Sequence, residues 1–166
     1  TFFVNREVLN GIKNISNELF AEERIIMQGI TGVNERIRLK MTISRNTYCA
    51  NSVNYCRFLS NINPRYALAL LNSSLLNYIF KLQSTNSNVN GYEVDNLPLI
   101  IADNQVPYIE IVNKILEIKK SDIQADTKEL ENHIDLLVYR LYGLNYNEVL
   151  IVDPATPITR EEYEQM

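Results

Sequence analysis

The chain has 166 residues, 46% of them hydrophobic and 22% charged, which is the balance of one soluble globular domain with a core of its own. No stretch approaches the roughly 20 consecutive apolar residues of a membrane span, and nothing resembles a signal peptide. The formal charge of -4 excludes an overall basic protein but is unevenly divided: residues 1–90 hold ten Lys or Arg against five Asp or Glu, and residues 91–166 six against fifteen. A positive face on the first half would still suit a nucleic acid.

A start at Thr1-Phe2-Phe3, without Met, predicts a piece of a longer protein. Val8, Ile12, Ile15 and Leu19 fall at helical spacing, predicting an amphipathic helix over 5–23 that connects to a preceding domain. Arg24 to Ile30 reads as a strand entering a turn at Gly29 and Gly32. Ile37, Leu39, Met41 and Ile43 then alternate with Arg36, Arg38, Lys40 and Thr42, predicting a strand with one apolar and one basic face. A further strand is expected over Ser52 to Leu59, with Val53, Tyr55 and Arg57 on one side. Cys49 and Cys56 lie seven apart in this extended region and would face opposite sides. No disulfide is expected, and two thiols with one histidine make no zinc site. Both read as reduced structural residues, which suits the cytoplasm.

Asn63-Pro64 is a cap followed by a first-turn proline, predicting a central helix with Leu68, Leu71, Leu75, Ile79 and Leu82 on its buried stripe. Gln83 to Asn90 is Ser, Thr and Asn with a single Val, and reads as an exposed loop. Pro107 starts a helix that buries Tyr108, Ile111, Ile115 and Ile118. Asp126-Thr127-Lys128-Glu129 has capping-box spacing ahead of Leu130, Ile134, Leu137 and Leu141, and Gly143 ends that helix. Asn145 and Glu148 repeat the cap for a short helix that Pro154 ends. The expected class is α+β: a small, mostly antiparallel sheet packed with helices, then a C-terminal helical pair. Residues 1–23 form the connecting helix, 24–104 the sheet-and-helix core, and 105–166 a helical segment of the same domain.

Catalytic signatures are missing from the sequence. There is no glycine-bearing loop for a methyl donor, no Asn-Pro-Pro-Tyr motif, no phosphate loop and no nucleophile elbow. His133 sits beside a buried helical stripe and reads as an ordinary helix residue. Asp103 with Glu117-Ile118-Lys119 matches a loose nuclease pattern, but Glu117 and Lys119 would lie on a helix and point apart.

The positive case is for DNA. Arg36, Arg38 and Lys40 on one strand face would stand about 7 Å apart, close to the phosphate repeat of one DNA strand, and Arg45 extends the row. Two polar loops supply groups suited to base edges. One carries Gln28, Thr31 and Asn34; the other carries Ser84, Thr85, Asn86, Asn88 and Asn90 and leads into Tyr92. The competing reading is a protein-interaction or assembly domain that binds through its acidic helices. An RNA-binding role lacks the aromatic pair that an RNA-recognition sheet displays.

Order and spacing add a resemblance. Leu71-Asn72-Ser73-Ser74-Leu75-Leu76-Asn77-Tyr78-Ile79-Phe80-Lys81 fits an "LNSxLxNxxFK" helix, followed by a Gly91-Tyr92 strand and a Leu97-Pro98-Leu99 turn. Ile134-Asp135-Leu136-Leu137-Val138-Tyr139-Arg140-Leu141-Tyr142-Gly143-Leu144 closes the series. From about Arg24 to Val152 the chain resembles the TaqI-like C-terminal specificity domain of type II restriction-modification enzymes and adenine-specific DNA methyltransferases. The resemblance implies a target-recognition domain that binds double-stranded DNA and does no chemistry itself. S-adenosylmethionine, and any Mg2+, would belong to a catalytic methyltransferase domain of the same polypeptide. It also implies that Asn72-Ser73 lies in a helix beneath the recognition surface. The chain departs from the pattern in lacking a second proline after Leu97-Pro98-Leu99 and in its long acidic end after Gly143.

Overall fold

Alternation in the first strand sets the layers. In the computed structural model, which describes residues 23–47, 49, 52–56 and 62–165, β1 (Arg24–Gln28) buries Ile25 and Met27 and turns Ile26 and Gln28 to the other face. β2 (Met41–Ser44) and β3 (Val53–Cys56) flank it, both antiparallel, in the order β2-β1-β3. Seven helices follow among the described residues: α1 (Pro64–Leu71), α2 (Ser74–Gln83), α3 (Gly91–Asp95), α4 (Val106–Ser121), α5 (Lys128–Leu141), α6 (Tyr146–Val152) and α7 (Arg160–Gln165). The architecture is the small α+β fold expected, with a helical C-terminal segment. One core joins the inner sheet face, α1, α2, α4 and α5. No helix among the described residues is long and apolar enough to cross a membrane.

The central helix is two helices. Asn63 caps α1 by accepting the Arg65 N–H at 2.9 Å, as its position before Pro64 implies. The chain then breaks at Asn72-Ser73, where Ser73 becomes extended and restarts the helix. Its hydroxyl donates to the Leu70 carbonyl at 2.6 Å and accepts from Leu76 N at 3.2 Å. The break rotates the stripe, so Leu76 and Phe80 are buried and Leu82, expected inside, is exposed.

Tyr66 of α1 meets Tyr108 of α4 edge-on at 5.1 Å, and the Tyr108 hydroxyl donates to the Leu137 carbonyl of α5 at 3.1 Å. The start of α5 differs from the expected box. Asp126 accepts the Lys128 N–H at 2.9 Å, but Thr127 is the capping residue and its hydroxyl bonds Glu131 at 2.6 Å. The Asn145–Glu148 box of α6 forms as read. Helix α7 was not anticipated; Tyr163 anchors it in the core. Of the remaining expectations, the helix over 5–23 lies outside the described residues except at Glu23, as do Arg57 to Leu59 of the third strand.

Candidate nucleic-acid interface

The basic strand face is corrected first. Regular pairing begins at Met41, with Gln28 N also donating to the Lys40 carbonyl at 3.1 Å, and helix side chains bond the backbone on both sides of that point. Asn77 Oδ1 accepts from Arg38 N at 2.7 Å and Leu39 N at 3.3 Å, while its Nδ2 donates to the Arg36 carbonyl at 2.9 Å. Asn72 brackets Met41 in the same way, accepting its N–H at 3.1 Å and donating to its carbonyl at 2.9 Å. The two carboxamides stand in for a neighbouring strand along the β2 edge, leaving fewer bare backbone groups there. Asn72, placed within a helix by the resemblance, instead ends α1 at the break before α2 and bonds the Met41 backbone from there. Within the stretch Leu39 is buried and Ile37 is exposed, so the apolar face is incomplete.

Arg38 does not join a row with Arg36 and Lys40. It is 1% exposed, beneath the two polar loops. Its Nε donates to Thr31 Oγ1 at 3.2 Å, one terminal nitrogen to Ser84 Oγ at 3.4 Å, and the other to the carbonyls of Asn86 at 2.7 Å and Asn88 at 3.0 Å. The guanidinium also lies 5.1 Å from the centre of the Phe80 ring. Five donors in a planar fork suit such a junction, since one side chain reaches both loops. A buried Arg in a polar cage is how the sequence closes the gap between segments some 50 residues apart.

Backbone bonds extend the junction. Thr31 N donates to the Ser87 carbonyl at 3.0 Å and Val89 N to the Gly29 carbonyl at 2.9 Å, making an antiparallel bridge of Ile30 with Asn88. On the other side, Gly29 N donates to the Ser52 carbonyl at 2.8 Å. A Cβ at Gly29 would sit 2.8 Å from that Ser52 oxygen, so only glycine fits. Val89 drops into the core and Ser84 is buried, so Gln83 to Asn90 is only partly the exposed loop expected. Gly91 and Tyr92 open helix α3, not a strand. Glu93 accepts from Asn90 N at 3.0 Å and Asn90 Nδ2 at 2.9 Å. Burial pushes the Glu93 carboxyl up, but hydrogen bonds from Asn90 and Ser84 and the charge of Arg38 hold it below the usual range.

The expected site residues therefore separate. Thr31, Arg38 and Ser84 are interior, and Asn90 is half-buried. Gln28, Asn34, Thr85, Asn86, Asn88 and Tyr92 are exposed on or beside the joined loops, with Gln28 Nε2 turned back to the Ile30 carbonyl at 2.7 Å. Arg36 and Lys40 are exposed nearby and carry ion pairs, Arg36 with Asp153 at 3.6 Å and Lys40 with Glu35 at 3.4 Å. Arg45 is exposed but follows β2 at the far end of the sheet, roughly 14 Å of strand from the loops. It is not brought together with them. The cysteines Cys49 and Cys56 are free, and burial holds the Cys56 thiol above its ordinary pKa, with a smaller push from Asp95.

Two residues escaped the sequence reading. Asn77 stood in the sequence as the second Asn of the "LNSxLxNxxFK" pattern, with no backbone role attached to it. Ile30 gave a signal: continuing the alternation of Ile26 and Gln28 sets it on the polar face, and it is 56% exposed. Elsewhere, His133 is exposed on α5, and Lys119 of α4 donates to the Ala125 carbonyl at 2.7 Å. No group of three or more His, Cys, Asp or Glu among the described residues is arranged to hold a metal. A groove of about 1140 Å³ runs from Ile26 and Thr42 past Asn72 to Asp135 and Asp153. In it Asp135 accepts Ser74 N and Oγ, both at 2.7 Å, and burial pushes its carboxyl up to about 6. No protein-family model, curated protein or solved structure matches the chain.

Proposed function

We propose that the chain is a DNA target-recognition domain, serving a type II restriction-modification enzyme with adenine-specific methyltransferase activity in the cytoplasm. The observation that carries this reading is the convergence of the two amide- and hydroxyl-rich loops over Arg38. Their exposed carboxamides and hydroxyls suit base edges, and Arg36 and Lys40 beside them suit phosphates. Chemistry, S-adenosylmethionine and any Mg2+ belong in this reading to a catalytic domain of the same polypeptide. In this reading the acidic helices α5 to α7 would face that domain, while Asp153 beside Arg36 would give way to a phosphate.

The test is fluorescence anisotropy of a labelled mixed-sequence duplex against the wild-type chain and an Arg36→Glu/Lys40→Glu variant. Arg38 is left intact because it holds the loops. Wild-type binding should be weak and salt-sensitive, with a dissociation constant on the order of 10⁻⁴ to 10⁻⁶ M, and should vanish in a variant whose circular dichroism is unchanged. A wild type that binds no duplex at low salt would sink the proposal and favour a protein partner.

A further inference from the structure

Ile30 and Asn88 form a cross-strand pair whose flanking bonds run from Thr31 N to the Ser87 carbonyl and from Val89 N to the Gly29 carbonyl. That pattern marks a non-hydrogen-bonded antiparallel pair, with Cα atoms about 4.5 Å apart and both side chains on one face. The face is open: Ile30 is 56% exposed and Asn88 is exposed beside it. The backbone beneath is fixed. Asn88 N donates to Asn86 Oδ1 at 2.8 Å, its carbonyl accepts from Arg38, and the Ile30 carbonyl accepts from Gln28. No partner takes the Asn88 carboxamide among the described residues. The bridged pair thus presents an amide and a branched alkyl group side by side on one open face.

We propose that this pair reads one A·T base pair in the major groove, the Asn88 carboxamide bridging adenine N6 and N7 and Ile30 packing on the thymine methyl. The inference rests on the DNA-reading proposal above. A major groove admits a two-stranded ribbon, and the Gly29–Thr31 and Ser87–Val89 segments make one. A carboxamide offers a donor and an acceptor together, which adenine alone answers with N6–H and N7; guanine shows two acceptors there. The only apolar group on that edge of a base pair is the thymine methyl, on the partner base of adenine. The side-by-side placement of Asn88 and Ile30 follows that order across one pair.

The test starts by selecting tight duplexes for the wild-type chain from a pool with a randomised centre. Anisotropy then compares each selected duplex with copies in which single adenines lose N7 (the deaza analogue) or single thymines lose the methyl (deoxyuridine). At one A·T pair, loss of N7 should weaken wild-type binding roughly tenfold, and loss of the methyl about fourfold. Asn88→Ala should abolish the response to the deaza analogue and keep the response to deoxyuridine, while Ile30→Ala should do the reverse. Both side chains are exposed, so both variants should keep the wild-type circular dichroism. Selected duplexes with no pair sensitive to both changes, or variants that retain both responses, would overturn this inference and leave DNA binding standing. Failure to bind any duplex would overturn both.

Discussion

Where α1, α4 and α5 meet, the partners are Tyr66, Tyr108, Ile111 and Val138, each removed from water mainly by apolar surface. Where the sheet-and-loop region meets α2, the partners are Arg38, Asn72 and Asn77, bonded to backbone and hydroxyl groups far away in sequence. The first region tolerates small misfits in proportion to the area lost. The second does not: a buried donor or acceptor whose partner is removed keeps its full desolvation cost. The loops nearest the proposed DNA surface are thus held by the less forgiving means. That fits a surface whose side chains must keep fixed relative positions.

The largest effect expected from this contrast is at Arg38. Arg38→Met keeps much of the volume and the contact with Phe80 but strands Thr31, Ser84 and two loop carbonyls. It should cost about 4 kcal/mol in urea unfolding, against under about 0.5 kcal/mol for the exposed Arg36→Gln. Equal costs at the two arginines would mean that the cage around Arg38 is solvated, and the contrast between the regions would fail.

The next effect concerns Asp135, the polar exception within the helical region. Its folded pKa, about 6, lies above the ordinary 3.8 because burial outweighs the hydrogen bonds from Ser74. Between those values the folded chain holds more protons than the unfolded one, so stability is greatest below about pH 4 and falls as pH rises through 6. The loss is on the order of 3 kcal/mol. In Asp135→Asn the side-chain oxygen still accepts the Ser74 N–H and the new amide donates to its hydroxyl. Urea midpoints from pH 4 to 7 should lose this slope in the variant. A slope that persists would assign it to other groups.

The two regions also differed in how far they could be read from the sequence. Asn63-Pro64 and the Asn145–Glu148 box are local devices, completed within three residues, and they form as read. The break before α2 is equally local but masked by the apolar pattern. An apolar stripe runs unbroken through Leu71, Leu75 and Ile79, and what splits it is the Ser73 hydroxyl bonding across the gap. Arg38 looked like its neighbours because period two sorts residues by face and cannot say what covers a face. The groups that cover it lie at Thr31 and at Ser84 to Asn88. Asn90 and Glu93 have capping-box spacing, a local signal for the start of α3 at the place where the resemblance implied a strand.

Gly143 gives the smallest effect and the cleanest test of such local devices. It has φ of +68°, its N–H donates to the Arg140 carbonyl at 3.0 Å, and Leu144 N donates to the Tyr139 carbonyl at 3.0 Å. These are the two bonds of a helix end closed by one left-handed residue. A Cβ there would meet nothing within 4 Å, so Gly143→Ala isolates the backbone cost. That cost should be about 1 kcal/mol. Gly143→Asn should cost less, because asparagine tolerates this conformation better than alanine. Urea unfolding of both variants decides the matter. If alanine proves as stable as glycine, the left-handed residue is not what ends α5, and the packing of Leu144 behind it must be. The helical region would then owe even its boundaries to apolar contact, and the contrast with the Arg38 loops would widen.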